Sequence, residues 1–209
     1  MAKMENDSVD TLRGIIAREI EKNPHNRDLL NAFQPLLLER MRLLKDVKLK
    51  KADPAAIDKT RFLGGVPLIR QRELLLPDDP WEETAGRLIP ALKEGFPGIR
   101  GDMDRLQSGS GKLGDLAREY RNAFPDHADE AIARWALDLQ VGVQGISLLL
   151  RHLTRIILEK RSQAAAGEMK GLEWKKGYCP VCGAFPTIAL IEEKITRRWL
   201  HCSRCGHDW

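Results

Sequence analysis

The sequence predicts a mainly α-helical protein in which a helical bundle is followed by a small β-ribbon. Apolar residues recur at helical spacing through residues 9–160, with Gly and Pro as interruptions. The pattern then changes, because a turn-rich segment that holds all four cysteines frames two short β-branched or aromatic stretches. We therefore expect an all-helical domain over residues 1–165 and a ribbon over residues 172–209.

The first helix is predicted from its caps and its apolar face. It should begin near Asp7 or Ser8, which are good N-cap residues, and stop at Asn23-Pro24. Its apolar face contains Val9, Leu12, Ile15, Ile16 and Ile20.

The second helix should follow Asn26 and bend at Pro35. Its apolar stripe contains Leu29, Leu30, Phe33, Leu36, Leu37, Met41, Leu44 and Val47. A charged stretch over residues 45–53 closes it. We interpret the lysines there as a solvated helix end, because cations suit a helix C-terminus; they are Lys48, Lys50 and Lys51.

The middle of the chain carries mixed signals. Residues 61–80 suggest a loop, marked by Gly64-Gly65 and Pro67, that leads into a short helix. Asp79-Pro80 predicts a helix start and Gly95 with Pro97 its stop. A flexible linker over residues 109–114 should precede a further helix, whose apolar residues are Leu113, Leu116, Ala117, Tyr120 and Phe124.

The strongest helix should begin after Pro125-Asp126 and run to about residue 160 at the centre of the bundle. Gly142 and Gly145 lie three residues apart on it and would let another helix approach closely, which would offset the roughly 1 kcal/mol that each helical Gly costs. Residues 162–173 read as a linker to the ribbon.

The cysteines carry the clearest chemical signal. Cys179 and Cys182 form one C-x-x-C-G motif, and Cys202 and Cys205 form a second after nineteen intervening residues. Each motif predicts a knuckle in which the Gly adopts φ > 0 and backbone N–H groups point at the thiolates. The spacing matches a tetrathiolate pattern, in which four sulfurs at about 2.3 Å from the metal close a tetrahedron. We expect one zinc or iron ion in a rubredoxin-like or zinc-ribbon module, with a structural role because no coordination position stays open.

The sequence gives less support to other functions for its cysteines, histidines and glycine-rich segment. Two matched pairs, each followed by Gly, argue against a redox dithiol. His201 and His207 flank the second knuckle and are superfluous as ligands, so we expect surface or supporting groups. His127 and His152 lie on helix candidates, where we expect satisfied structural histidines. Residues 108–112 resemble a phosphate loop but lack its required Gly and Ser or Thr. No catalytic constellation is evident, so we do not expect an enzyme.

Charge and composition bear on partners and location. Residues 160–209 hold nine Lys/Arg against five Asp/Glu, so the net charge of +4 lies there. The excess balances the −2 charge of a tetrathiolate site with a divalent metal, or it binds nucleic acid as an alternative function. The basic and aromatic residues of that alternative are Lys170, Trp174, Lys175, Lys176, Lys194, Arg197, Arg198, Trp199 and Arg204. The polar N-terminus and the short charge-free stretch 139–150 predict a cytoplasmic protein without membrane insertion.

The stretch Tyr178–Trp209 resembles the cysteine-rich region of the formate dehydrogenase accessory (FdhE) family. The shared features are Y-C-P-V-C-G with a following Pro, then W-L-H-C-S-x-C and a Trp three residues beyond Gly206. The resemblance implies a cytoplasmic assembly factor with rubredoxin-like metal sites. It also implies binding to the catalytic subunit of a molybdenum- or tungsten-dependent formate dehydrogenase, and it makes nucleic acid a partner that we do not expect. Such proteins continue with further C-x-x-C pairs, so we expect a truncated ribbon here, in a fragment or a reduced homologue.

Overall fold

The computed structural model describes residues 2–50, 56–109, 112–123, 128–192 and 197–209. These residues form eight α-helices and one two-stranded antiparallel hairpin, which confirms the mainly α fold class. The helices are α1 (Ala2–Lys22), α2 (Arg27–Asp46), α3 (Lys59–Gly64), α4 (Trp81–Gly95), α5 (Arg100–Ser108), α6 (Leu113–Ala123), α7 (Ala128–Asp138) and α8 (Val143–Met169). The strands are β1 (Ile188–Glu192) and β2 (Arg197–His201).

The first two helices end where the sequence predicts, but α1 begins earlier. It starts at Ala2 and not at Asp7 or Ser8, because the residues before them also favour a helix. The apolar faces are also narrower than predicted, since Ile15 and Leu29 are about half exposed. Pro35 lies inside α2, whose buried residues are Leu36, Leu38 and Leu43.

The middle of the chain contains more helix than predicted. The short helix α3 precedes Gly65, which caps it at φ +103°, and only one 3-10 turn over Leu68–Arg70 follows. Helix α4 begins directly after Asp79-Pro80 as predicted. Helix α5 was not predicted, because its nine residues are mostly polar and carry no clear apolar stripe.

The predicted central helix is in fact two helices. A bend of 117° separates α7 from α8, and at this break Gln140 has φ +53° while Gly142 is extended. The prediction of one continuous helix was wrong because apolar residues continue across the break. The predicted linker 162–173 was also wrong, since its alanines extend α8 to Met169.

The close approach predicted at Gly142 and Gly145 is confirmed. A Cβ atom on either glycine would lie within 2.8 Å of the Asp102 side chain on α5. The two glycines therefore let α5 cross the start of α8 in close contact.

One buried cluster joins the helices to the cysteines. The middle of α8 lies at its centre, and the four cysteines with Val181 belong to the same cluster. Fully buried residues of α8 are Ile146, Leu149, Leu150, Leu153, Ile156, Ile157 and Leu158. Several predictions fall on residues that the structure does not describe: the helix start at Pro125-Asp126, and those for Phe124, His127 and Lys51. Where the structure describes the chain, no single helix is long and apolar enough to cross a membrane, although the bent pair α7 and α8 passes that test together.

Candidate metal centre

The four predicted cysteines meet at one buried point. Their sulfurs all lie within 4.8 Å of one another, and each cysteine is at most 4% exposed. The shortest contacts cross between the motifs, since Cys179 Sγ lies 3.5 Å from Cys205 Sγ and Cys182 Sγ lies 3.5 Å from Cys202 Sγ. The fold therefore brings Cys179 to Cys205 and Cys182 to Cys202, which are 26 and 20 positions apart in the sequence.

The local sequence shapes both knuckles in the same way. Gly183 and Gly206 adopt φ +74° and +68°, as predicted for the Gly of each motif. Each glycine N–H donates to the carbonyl oxygen of the first cysteine of its own motif, Cys179 or Cys202, at 2.9 Å. These bonds close the tight turns that aim two sulfurs to one side.

The ribbon between the knuckles fixes their separation. Strands β1 and β2 pair from Ile188 with His201 to Glu192 with Arg197. At the base of the hairpin, Leu200 and Trp209 exchange two backbone hydrogen bonds of 2.9 and 3.1 Å. The antiparallel return therefore places the second knuckle opposite the first, as predicted.

The first knuckle is seated on the loop after α3. The N–H groups of Leu68 and Ile69 donate to the carbonyl oxygens of Pro180 and Val181 at 2.9 and 3.0 Å. Nearby, the Tyr178 hydroxyl donates to the carbonyl oxygen of Gly65 at 2.6 Å. Three hydrogen bonds thus tie the motif to a segment more than a hundred residues earlier.

The second knuckle is seated on α8. Gly206 packs against the side chain of Glu159, which also pairs with Arg40 and Arg155. His207 Nδ1 lies 3.2 Å from Ser162 Oγ, and burial lowers the pKa of His207. Each half of the cysteine cluster is therefore held by a different part of the helical region.

The four thiols strongly perturb one another. The pKa of Cys202 is lowered, first by hydrogen bonds from the other three cysteine side chains and also by the backbone N–H of Cys205. The pKa values of Cys179 and Cys205 are raised, chiefly by hydrogen bonds with neighbouring cysteine side chains and then by burial. A buried cluster of this kind favours anionic sulfur only where a cation offsets the charge.

The geometry suits one tetrahedral ion. Sulfurs at about 2.3 Å from a common centre lie about 3.8 Å apart, close to the 3.5 Å contacts seen here. The four cysteines could therefore hold one metal ion, and an all-sulfur donor set suits zinc or iron. Within the described ranges, no other group of three or more His, Cys, Asp or Glu side chains is placed to do so.

The histidines lie outside this cluster. His201 contacts Asp208 at 2.6 Å, and His207 contacts Ser162, as expected for supporting groups. His152 departs from the prediction of a satisfied histidine, because its buried Nδ1 has no hydrogen-bond partner among the described residues.

Some of the basic and aromatic residues of the nucleic-acid alternative make contacts within the chain. Trp174 is half-buried, packs against Phe62 with ring centres 4.7 Å apart, and donates to the carbonyl oxygen of Tyr178. Lys175 pairs with Glu173 at 2.7 Å. Lys194 lies outside the described residues. Trp174 therefore takes part in packing within the chain as well as lying partly at the surface.

A cleft beside the first knuckle was not predicted. It has a volume of about 850 Å³ and lies between α8, the loop at Pro67 and both knuckles. Arg70, Arg151, Arg155 and Arg204 line it. These arginines come from three separate parts of the sequence, so only the folded chain reveals that they converge.

Comparison with known proteins supports the resemblance seen in the cysteine region. The chain is 26% identical over 198 residues to proteins named FdhE from Salmonella choleraesuis and Salmonella newport, and to an FdhE homolog from Citrobacter koseri. The match covers 92% of this chain, so it includes the helical region, and the chain spans 59% of the length of these curated relatives. No protein-family model matches the chain. No solved structure matches it either.

Proposed function

We propose that this protein is a cytoplasmic accessory factor for the assembly of a formate dehydrogenase, and that it binds the catalytic subunit of that enzyme. The observation that carries the proposal is the similarity to FdhE proteins along 92% of the chain. It extends the resemblance from the cysteine motifs to the helical region that seats them.

In this function the metal has a structural role. Zinc or iron on Cys179, Cys182, Cys202 and Cys205 would clamp the two knuckles together and hold the ribbon against α8 and the loop at Pro67. A closed tetrathiolate leaves no coordination position for a substrate, and the sulfurs are almost fully buried. A surface fixed in this way loses little freedom on binding, which suits recognition of a partner better than catalysis.

The decisive experiment combines a deletion with a capture. Deleting the gene in its source cell should abolish formate oxidation, and the tagged protein should recover the catalytic subunit. Re-expression of the wild-type chain should restore the activity. Full formate oxidation in the deletion strain, with no catalytic subunit on the tagged protein, would remove this function. A micromolar nucleic-acid complex whose affinity falls steeply with salt would support the alternative.

A further inference from the structure

The cleft beside the first knuckle concentrates positive charge. Its lining includes four arginines and one histidine, and none of the described residues that line it is acidic. Arg155 already pairs with Glu159, which offsets part of this charge. Arg70 and Arg151 are exposed at its edge and form no ion pair with any described residue. Charges of one sign in a concave site focus the field and attract the opposite sign.

His152 lies beside these arginines and lines the cleft. Burial first, and then repulsion from Arg155, Arg40 and Arg151, together lower its pKa to about 4. The imidazole is therefore neutral near pH 7 and adds no negative charge to the lining of the cleft.

Exposed apolar side chains follow the first knuckle in the sequence. Phe185 lines the cleft and is 76% exposed, with its ring edge-on to Tyr178 at 6.5 Å. On β1, Ile188 and Leu190 share one face while Ile191 lies on the other, and each is more than half exposed. We call Phe185, Ile188 and Leu190 the apolar strip, because exposed apolar residues beside a cleft mark an interaction surface.

We propose that the cleft binds an acidic segment of a protein partner, with carboxylates on the arginines and neighbouring apolar side chains on Phe185 and the hairpin. Guanidinium groups match carboxylates with paired hydrogen bonds. A free inorganic anion would satisfy the arginines but would leave the apolar strip uncovered, so charge and hydrophobic contact together favour a peptide. The identity of the partner as the catalytic subunit rests on the proposed function, whereas the acidic chemistry rests on the cleft.

Charge reversal at the edge of the cleft tests this site. The double variant Arg70→Glu and Arg151→Glu should weaken binding of the purified catalytic subunit about tenfold or more, because like charges then face each other. The matched control is Arg27→Glu with Arg100→Glu. These two arginines are exposed, lie outside the cleft at the first turns of α2 and α5, and should tolerate Glu there. Circular dichroism and metal content should be unchanged in both double variants.

A peptide probe makes the test independent of the enzyme. A fluorescent peptide Asp-Glu-Phe-Asp-Glu-Leu should bind the wild-type chain more tightly than its counterpart Asn-Gln-Phe-Asn-Gln-Leu, and the cleft variant should lose this preference. Equal binding of the two peptides, or full displacement of the acidic peptide by millimolar inorganic phosphate, would overturn the acidic-segment site.

The catalytic-subunit assay and the peptide assay distinguish failure of the proposed function from failure of the acidic-segment site. If the wild-type chain prefers the acidic peptide but does not bind the catalytic subunit, the proposed function fails and the acidic site stands. If the cleft variant binds the catalytic subunit as tightly as the wild type, the acidic site fails and the proposed function stands.

Discussion

Gly206 of the second knuckle lies so close to Glu159 of α8 that a Cβ atom added at residue 206 would come within 2.7 Å of Glu159 Cδ. The carboxylate cannot move aside freely, because it pairs with Arg40 and Arg155. Gly206 also has φ +68°, which an L-residue adopts only at a cost. The position therefore requires Gly for its backbone conformation and for the space beside α8.

Replacing Gly206 with Ala should destabilise the protein by roughly 1–3 kcal/mol, the usual range for one strained backbone position. Denaturant unfolding measures the difference. Gly167→Ala is the matched control, because it lies in α8 with nothing within 4 Å of its added Cβ. That change should be neutral or stabilise by up to about 1 kcal/mol. Equal stability of the wild type and the Gly206 variant would contradict the seating of the knuckle on Glu159.

Loss of the metal should loosen the loop at Pro67, which is hydrogen-bonded to the first knuckle. In the Cys202→Ser variant the metal content should fall far below one equivalent, since metal binding and folding of such modules are coupled. The N–H groups of Leu68 and Ile69 should then exchange faster with deuterium, because they donate to the carbonyl oxygens of Pro180 and Val181. Metal analysis and hydrogen exchange measure the two effects.

Ser203→Ala is the control for that experiment. Ser203 is exposed and lies between the two cysteines of the second motif. Its variant should keep one metal equivalent and slow exchange at residues 68 and 69. Unchanged exchange in a metal-free Cys202→Ser protein would show that the loop is held independently of the site.

The cysteine cluster was predictable because its determinants are local. Spacing and the Gly after each pair specify two knuckles, and the β-branched stretch between them specifies the hairpin. The predicted division into domains at residues 1–165 and 172–209 stays a prediction. Helix α8, however, passes residue 165 and the knuckles share the buried cluster of the helices.

Other features depend on contacts that a linear pattern does not contain. The break at Gln140 interrupts an apolar stretch that reads as one helix, and α5 is packed over Gly142 and Gly145 although its own sequence is polar. The arginine cleft needs α8, the loop after α3 and the second knuckle together. The packing of distant segments against one another cannot be predicted from the spacing of residues along the chain.

Two neighbouring aspartates should respond very differently to the same change. Asp79 is buried and pairs with buried Arg161 at 2.5 Å, whereas Asp78 is exposed and pairs with exposed Lys50. Asp79→Asn leaves a buried guanidinium without its counter-charge and should cost about 3 kcal/mol. Asp78→Asn should change stability little, because exposed pairs are screened by solvent. Equal effects of the two variants on unfolding would contradict this difference in burial.

Acid should destabilise the folded protein through His152, whose Nδ1 is buried. The pKa of His152 is lowered from 6.5 to about 4, chiefly by burial and then by Arg155, Arg40 and Arg151. As the pH falls, the unfolded chain therefore takes up this proton before the folded chain does. The contribution of neutral His152 is complete above pH 6.5 and is lost progressively towards pH 4, with a loss of about 2 kcal/mol by about pH 5.

Unfolding free energies measured across this range in the wild type and in His152→Gln test the prediction. The variant cannot gain the proton. Its unfolding free energy should therefore fall by about 2 kcal/mol less than that of the wild type on going to about pH 5. Acid release of metal affects both proteins and cancels in the comparison. His25→Gln removes an exposed imidazole and serves as the matched control, which should keep the wild-type profile. Parallel curves for the wild type and the His152 variant would mean that burial and the neighbouring arginines do not hold His152 neutral.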